Sequence, residues 1–326
     1  MPKVLVTGAT SFLGGWAVSR LLDAGHEVLA CLNPRSSEAG SGLKPRYYAS
    51  GLGRSCREVR PDLTDARVAE DLVAAEAPDA VIHMASFGDL NRCLQHPLQT
   101  FDACALIGLR LLEAVRRSGR RVPFLCHSTD KVYGTNGVPF RETMVLNPSN
   151  IYEIAKVTQD KAAQYHGKAH GIPVVVIRCG NYFGEDDYNF TRIVPYTIRQ
   201  NILGEEIVLR STGRFTRDFL YVEDAADVNM LLLDRLFGGA DGLEGEAFNF
   251  SLEVQVSVVE LVEKICAMMG KPPRIRIENA AKHEIPDMRL DCGRARDVLG
   301  WRPRTSLEAG LERTIAAYRS HLARAA

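Results

Sequence analysis

Short, continuous apolar runs alternate with longer stretches of helical periodicity through the first half of the chain. Lys3–Thr7, Glu27–Leu32, Ala80–Ala85, Val122–His127 and Val174–Arg178 read as strands, apolar enough to be covered on both faces as in a parallel sheet. Between them Phe12–Ala24, Ala66–Ala75, Pro97–Ser118 and Asn150–His170 carry apolar residues at helical spacing. Repeated βα units predict an α/β fold with a doubly wound parallel sheet and right-handed crossovers. Asn33–Ser55, rich in Gly, Ser, Pro and Arg, reads as a long loop. After Arg178 the alternation breaks down. Thr191–Leu203 and Val256–Met269 read as helices, Glu206–Leu209, Arg217–Tyr221 and Ala247–Ser251 as short strands, and Leu307–His321 as a terminal surface helix. The change of pattern predicts a domain over 1–180 and a smaller α/β lobe over 181–326, with segments around 215–251 returning to the first domain.

In such a sheet, ligand sits at the carboxyl ends of the strands. Gly8, Ala85-Ser86, Ser128-Thr129-Asp130 and Gly180-Asn181 all fall at predicted strand ends, so one crevice would collect them. The stretch from Gly8 through Thr10, Ser11, Phe12 and Leu13 to Gly14 joins a strand to a helix. A turn of this kind presents backbone N–H groups and the positive helix end to a phosphate. Gly8 permits the tight turn, and Gly14 permits close helix–strand packing. Taken alone, it is equally an ordinary βα turn that contains glycines.

Tyr152 and Lys156 lie four apart and so share a helix face. An ammonium beside the phenol would lower the Tyr pKa from about 10, making Tyr152 a proton acceptor for a hydroxyl being oxidised. Tyr-x-x-x-Lys also occurs by chance in helices, and its weight comes from lying downstream of the glycine turn and of Ser128-Thr129-Asp130. Thr129 can supply a hydrogen bond and Asp130 a carboxyl for acid chemistry, or Asp130 can cap the following loop. Lys131 reads either as a base or as a cation that orients Asp130. Arg192, Arg217 and Arg289 carry the planar fork suited to a diphosphate. His83 reads as a structural hydrogen bonder, Tyr133 as packing, and His96, His166 and His170 as surface residues.

Composition narrows the classes. The 326 residues are 46% apolar and 25% charged, with zero formal net charge. No global field therefore recruits nucleic acid or an anionic membrane. No apolar run approaches the roughly 20 residues of a membrane span, and Val4–Val6 enters a glycine turn at once rather than forming a signal-peptide core. The expected location is cytoplasmic. Cys31, Cys56, Cys93, Cys104, Cys126, Cys179, Cys266 and Cys292 show no metal-ligand spacing and read as free thiols, mostly buried, of a reducing compartment, with no metal site.

Together these residues resemble an extended short-chain dehydrogenase/reductase acting on nucleotide sugars. The likeness runs over nearly the whole chain: Thr7-Gly8 to Gly14, Asp62-Leu63-Thr64-Asp65, His83-Met84-Ala85-Ser86, Arg178-Cys179-Gly180-Asn181-Tyr182-Phe183-Gly184, Arg217-Asp218-Phe219-Leu220-Tyr221-Val222-Glu223-Asp224, Phe248-Asn249-Phe250-Ser251 and Leu299-Gly300-Trp301-Arg302-Pro303. Ser128-Thr129-Asp130-Lys131, Arg192-Ile193-Val194-Pro195 and Glu284-Ile285-Pro286 resemble the CDP-glucose 4,6-dehydratase branch. The resemblance implies a Rossmann-type NAD-binding domain and a nucleotide-sugar-binding lobe. It implies catalysis by Thr129, Asp130, Lys131, Tyr152 and Lys156. NAD would lie on Gly8 to Gly14, Asp62, Leu63, Ala85, Ser86, Tyr152 and Lys156. Asn33 or Arg35 would meet the adenosine ribose, and Arg35 keeps NADP open as an alternative. Ser86, Asn181, Arg192, Val194, Arg217, Tyr221 and Arg289 would hold the nucleotide-diphosphate sugar. A homodimer through the helices around Leu106–Val115 and Ile151–Ala163 is also implied. Ser11, where the family has a central glycine, and Cys104, where it commonly has Asn, depart from the pattern. The expected activity is a 4,6-dehydratase; the alternatives are a 4-epimerase and an NAD-sensing binding protein without chemistry.

Overall fold

The computed structural model describes residues 1–34, 44–239, 242–280 and 284–322. Seven strands form one parallel sheet in the order Glu246–Phe250, Val174–Cys179, Phe124–His127, Ala80–His83, Lys3–Thr7, Glu27–Cys31, Arg57–Val59. Every residue of Ala80–His83, Phe124–His127 and Val174–Cys179 is buried, as expected of central parallel strands with helices on both faces. The chain starts in the interior of the sheet and winds outward both ways. The crevice between Lys3–Thr7 and Ala80–His83 is thus the topological switch point.

Of the two edge strands, Ala247–Ser251 was expected within one residue of its observed bounds and Arg57–Val59 was not. Arg57–Val59 has no apolar run, with Arg57 and Glu58 exposed; it exists by pairing with Leu29–Cys31. Glu246–Phe250, at the other edge, pairs residue by residue with Val175–Cys179. The predicted loop Asn33–Ser55 contains a helical turn, Arg46–Ala49, anchored by the buried Tyr47, whose hydroxyl donates to Glu58 at 2.8 Å. The predicted helix Pro97–Ser118 is interrupted. Leu90–Gln95 and Pro97–Phe101 precede a π-helical turn, Asp102–Leu106, before Ile107–Arg117 resumes α geometry. The helix Ile151–His170 starts where Asn150 Oδ1 accepts from Glu153 N at 3.1 Å and stops at Gly171, at φ +65°.

Val222–Phe237 packs on Phe12–Asp23. A separate core joins Phe183, Ile198, Phe219, Leu261 and Leu311, from the helices Ile193–Leu203, Val258–Met268 and Leu307–Leu322 and two short strands. Three two-stranded pairs complete this region: Asn181–Phe183 with Phe219–Tyr221, Thr216–Arg217 with Val256–Ser257, and Ile207–Leu209 with Ile275–Ile277. Among the described residues no helix is long and apolar enough to cross a membrane.

Candidate active site

The glycine turn is built by close approach. Gly8 stands at φ +73°, and a Cβ there would lie 3.0 Å from Ala85 N; a Cβ on Gly14 would lie 2.0 Å from Gly8 O. Ser11 does not crowd the turn. It becomes the N-cap of Phe12–Asp23, its Oγ accepting from Gly14 N at 3.1 Å. Gly15 N bonds to Ser11 O at 3.0 Å, so the first-turn N–H groups of Phe12 and Leu13 are left for an anion. Asn33 is exposed at the end of the second strand, and Arg35 lies outside the described residues. Asp62 Oδ1 accepts from Thr64 N at 3.1 Å and Thr64 Oγ1 at 2.6 Å, while the Leu63 side chain is buried against the sheet.

The strand Phe124–His127 runs into Ser128 and Thr129, then into the 3₁₀ turn Asp130–Tyr133. Asp130 is 2% exposed, and its Oδ2 has no hydrogen-bond partner among the described residues. Burial pushes its carboxyl upward, against the opposing Lys131 charge, whose Nζ lies 3.7 Å from Oδ1. Thr129 Oγ1 donates to Asp130 Oδ1 at 3.1 Å and accepts from Lys131 N at 3.3 Å. The Lys131 side chain is 30% exposed.

Tyr152 belongs to the same cluster. Burial raises its phenol pKa, the charges of Cys104 and Asp130 add to the rise, and a hydrogen bond with Thr129 opposes it. Lys156 shares the helix face of Tyr152, and two of its hydrogens are given to other groups. Its buried ammonium donates to His127 O and to Gln159 Oε1, both at 2.6 Å. The expected lowering of the Tyr152 pKa is replaced by a rise, because desolvation, joined by Cys104 and Asp130, outweighs the hydrogen bond with Thr129.

Several neighbours escaped the sequence reading. Gln159 is one turn beyond Lys156 on the same face, a relation the helical spacing contains. Tyr182 sits inside the Asn181–Gly184 motif. Its hydroxyl is 3.4 Å from His127 Nδ1, and its phenol is raised by burial, with Asp130 and Tyr152 adding to the rise. Cys104 accepts from Ser86 Oγ at 3.2 Å and packs against Tyr152 and Ala155. A hydrogen bond from Cys93 and the Lys156 charge lower its thiol pKa. His166, expected at the surface, is buried, with its Nδ1 2.8 Å from Ala162 O.

The expected sugar-nucleotide residues divide. Tyr221 is a correction: it is fully buried in the C-terminal core and donates its hydroxyl to Glu185 at 2.8 and 2.7 Å, so nothing remains for a ligand. Arg217 is spent on its own chain, donating to Thr216 O, Ile285 O and Glu284 Oε2 at 2.9, 2.8 and 2.9 Å. Arg192 pairs with Asp187 at 3.1 Å beside Gly88 and Phe12. Val194 buries its side chain in the core, with its backbone in the first turn of Ile193–Leu203. Asn181 Nδ2 donates to Asp218 O at 3.1 Å. Ser86 is exposed at its strand end, and Ala85 N donates to Thr7 Oγ1 at 3.3 Å. Arg289 is half-buried, its backbone O accepting from Phe140 N at 2.7 Å.

The profile of the NAD dependent epimerase/dehydratase family matches residues 4–249. The chain belongs to this family. A dTDP-glucose 4,6-dehydratase of Xanthomonas campestris pv. campestris is 28% identical, over 98% of this chain and 93% of that protein. A UDP-glucose 4-epimerase of Mycolicibacterium smegmatis is 29% identical, over 98% and 99%. The crystal structure of the Thermotoga maritima UDP-glucose 4-epimerase with UDP-glucose superposes with a TM-score of 0.85 at 25% identity, covering 98% of this chain and 99% of that one. Dehydratase and epimerase stand at nearly equal identity.

Proposed function

We propose that this protein is an NAD-dependent nucleotide-diphosphate-sugar 4,6-dehydratase, converting an NDP-hexose to an NDP-4-keto-6-deoxyhexose and water. The observation that carries the reading is Asp130. It is a buried carboxyl, raised by burial, with one oxygen left without a partner. A carboxyl kept protonated is a general acid. A 4,6-dehydratase needs one at the departing C6 hydroxyl; a 4-epimerase has no such step.

The cofactor reading rests on this chain's own backbone. The positive φ of Gly8, the space that a Cβ on Gly8 or Gly14 would close, and the first-turn N–H groups of Phe12 and Leu13 fit a dinucleotide pyrophosphate. The Gly8–Gly14 turn would hold NAD, which would supply the acceptor for a hydride from sugar C4 and its return to C6. Tyr152 takes the proton from the 4-hydroxyl, with Thr129 in hydrogen-bonding reach of the phenol. The C4 ketone acidifies the C5 proton, which a base removes; Lys131, beside Asp130, is the candidate base or the cation that orients Asp130. Asp130 protonates the C6 oxygen as it leaves as water. Lys156, held by His127 O and Gln159, keeps a cation in the site. Arg289 and the backbone at Val194 hold the diphosphate. In this reading residues 181–326 form most of the sugar-nucleotide lobe. The chain works as a cytoplasmic homodimer, in which Ile154 and Tyr165, 43% and 59% exposed on Ile151–His170, would be covered.

The deciding experiment is incubation of the purified protein with a panel of NDP-hexoses, read by mass spectrometry. Loss of one water from a member of the panel is expected. An isomer of unchanged mass would make the protein an epimerase, and no conversion of any member would favour a binding protein.

A further inference from the structure

Lys156 Nζ gives hydrogens to two oxygens, His127 O and Gln159 Oε1, both at 2.6 Å. An ammonium has three donors and no acceptor, so the Gln159 amide must turn its oxygen to it. The amide nitrogen then points the other way, towards Gly108, on which His83 Nε2 also converges. Thr7 Oγ1 accepts from Met84 N at 3.2 Å and Ala85 N at 3.3 Å, and it lies 2.8 Å from His83 Nδ1. Its single hydrogen therefore goes to Nδ1, and the neutral imidazole carries its proton on Nε2. Gln159 Nε2 and His83 Nε2 are thus two buried donors, and neither has a partner among the described residues. Both press on Gly108, where a Cβ would lie 2.5 Å from Gln159 Nε2 and 3.0 Å from His83 Nε2. Rotating the amide end over end would bring Oε1 to the side of His83 Nε2–H. It would also turn an NH₂ against the ammonium. The present orientation, with two donors unsatisfied, is held by the charge on Lys156.

We propose that Gln159 is a positioning residue whose amide couples the charge and placement of Lys156 to His83, with Gly108 as the contact that makes room for it. With Lys156 protonated, the amide oxygen faces Nζ. With Lys156 neutral, that charge-assisted hydrogen bond is lost. Gln159 therefore favours the charged form and opposes the desolvation that pulls the buried Lys156 downward. The groups facing Lys156 are His83 from the strand Ala80–His83, Cys126 and His127 from Phe124–His127, Cys104 from the π-helical turn and Asp160 from its own helix. Of the two groups in hydrogen-bond contact with Nζ, His127 O and Gln159 Oε1, only the Gln159 amide can change sides. The inference rests on the reading of Lys156 as the cation of the oxidation site, but its test does not need turnover.

The test is a pH titration of Lys156 in the full-length protein labelled with ¹³C at lysine Cε, the signal being the one lost in Lys156→Met. Gln159→Met removes a hydrogen bond to the charged form and should lower the Lys156 midpoint by about one pH unit. Gln159→Glu places an anion there and should raise it by about 1–3 units. Gly108→Ala, which touches neither Lys156 nor a ligand, should act like Gln159→Met by displacing the amide. Equal midpoints in the parent, Gln159→Met and Gln159→Glu overturn the inference. If Gln159→Met does not fold, Gln159→Glu, of the same size, decides it alone. A parent that converts no NDP-hexose would sink the proposed function while leaving this titration interpretable; unmoved midpoints beside a working dehydratase would sink only the role of Gln159.

Discussion

Arg178 and Asp160 meet as a two-point ion pair in the interior, Nε to Oδ2 at 2.9 Å and Nη2 to Oδ1 at 2.8 Å, with neither more than 1% exposed. The pair ties the strand Val174–Cys179 to the helix that carries Tyr152. Asp160 Oδ2 also accepts from Ser128 Oγ at 2.7 Å, next to Thr129 and Asp130. Arg178 Nη1 donates to Tyr133 OH at 2.8 Å, which in turn donates to Asn249 Oδ1 at 2.7 Å. Four segments distant in sequence are thus fixed around Asp130.

Breaking the pair from one side leaves a buried charge unmatched. Asp160→Asn should lower stability by about 3–5 kcal/mol, measured by urea unfolding. A loss below about 1 kcal/mol would mean that Arg178 finds another partner, and that the network does not hold the catalytic turn.

Much of this was legible beforehand, and the gaps have physical causes. The central strands announced themselves because burial on both faces demands unbroken apolar runs. Arg57–Val59 did not, because a three-residue edge strand is specified by its neighbour's backbone rather than by its own side chains. Thr129, Asp130 and Tyr152 were found because they lie at a strand end and on a helix face. Tyr133 packs in the core against Phe140 as its sequence context implies, but its hydroxyl partners come from 45 and 116 residues away, beyond the reach of spacing. Tyr221 failed for the converse reason: a matching motif says nothing of which way a side chain turns, and the C-terminal core claimed it. The rise in the Tyr152 pKa was invisible because desolvation belongs to the packed state, not to the spacing.

Tyr152 and Asp130 should separate in single-turnover experiments. Tyr152→Phe should abolish reduction of bound NAD⁺ by substrate, followed by nicotinamide absorbance. Asp130→Asn should still permit that reduction while slowing water loss by about 10²–10⁴-fold, so that reduced cofactor and 4-keto sugar accumulate. Because the phenol is raised, the oxidation rate should climb with pH through neutrality. A rate that is flat from pH 6 to 9, or an Asp130→Asn variant that dehydrates at the parent rate, contradicts these assignments.

His127 supplies a pH test of stability. Its Nε2 donates to Asn229 Oδ1 at 2.7 Å, and burial lowers its pKa from 6.5 to about 4. Below pH 6.5 the unfolded chain binds a proton that the folded chain refuses, so this contribution is present above 6.5 and is lost as pH falls towards 4. The stability advantage of the parent over His127→Asn should therefore shrink by about 3 kcal/mol across that window, measured by urea unfolding at fixed pH values. A pH-independent difference would show that His127 is not buried in its neutral form.

The central claim is that oxidation at C4 and reduction at C6 are two halves of one turnover. The most direct measurement uses an NDP-hexose deuterated at C4, with the product analysed by NMR and mass spectrometry. The account predicts that the deuterium reappears at C6 of a 4-keto-6-deoxy sugar, with solvent hydrogen at C5. Deuterium retained at C4 of an inverted, fully hydroxylated sugar would contradict it.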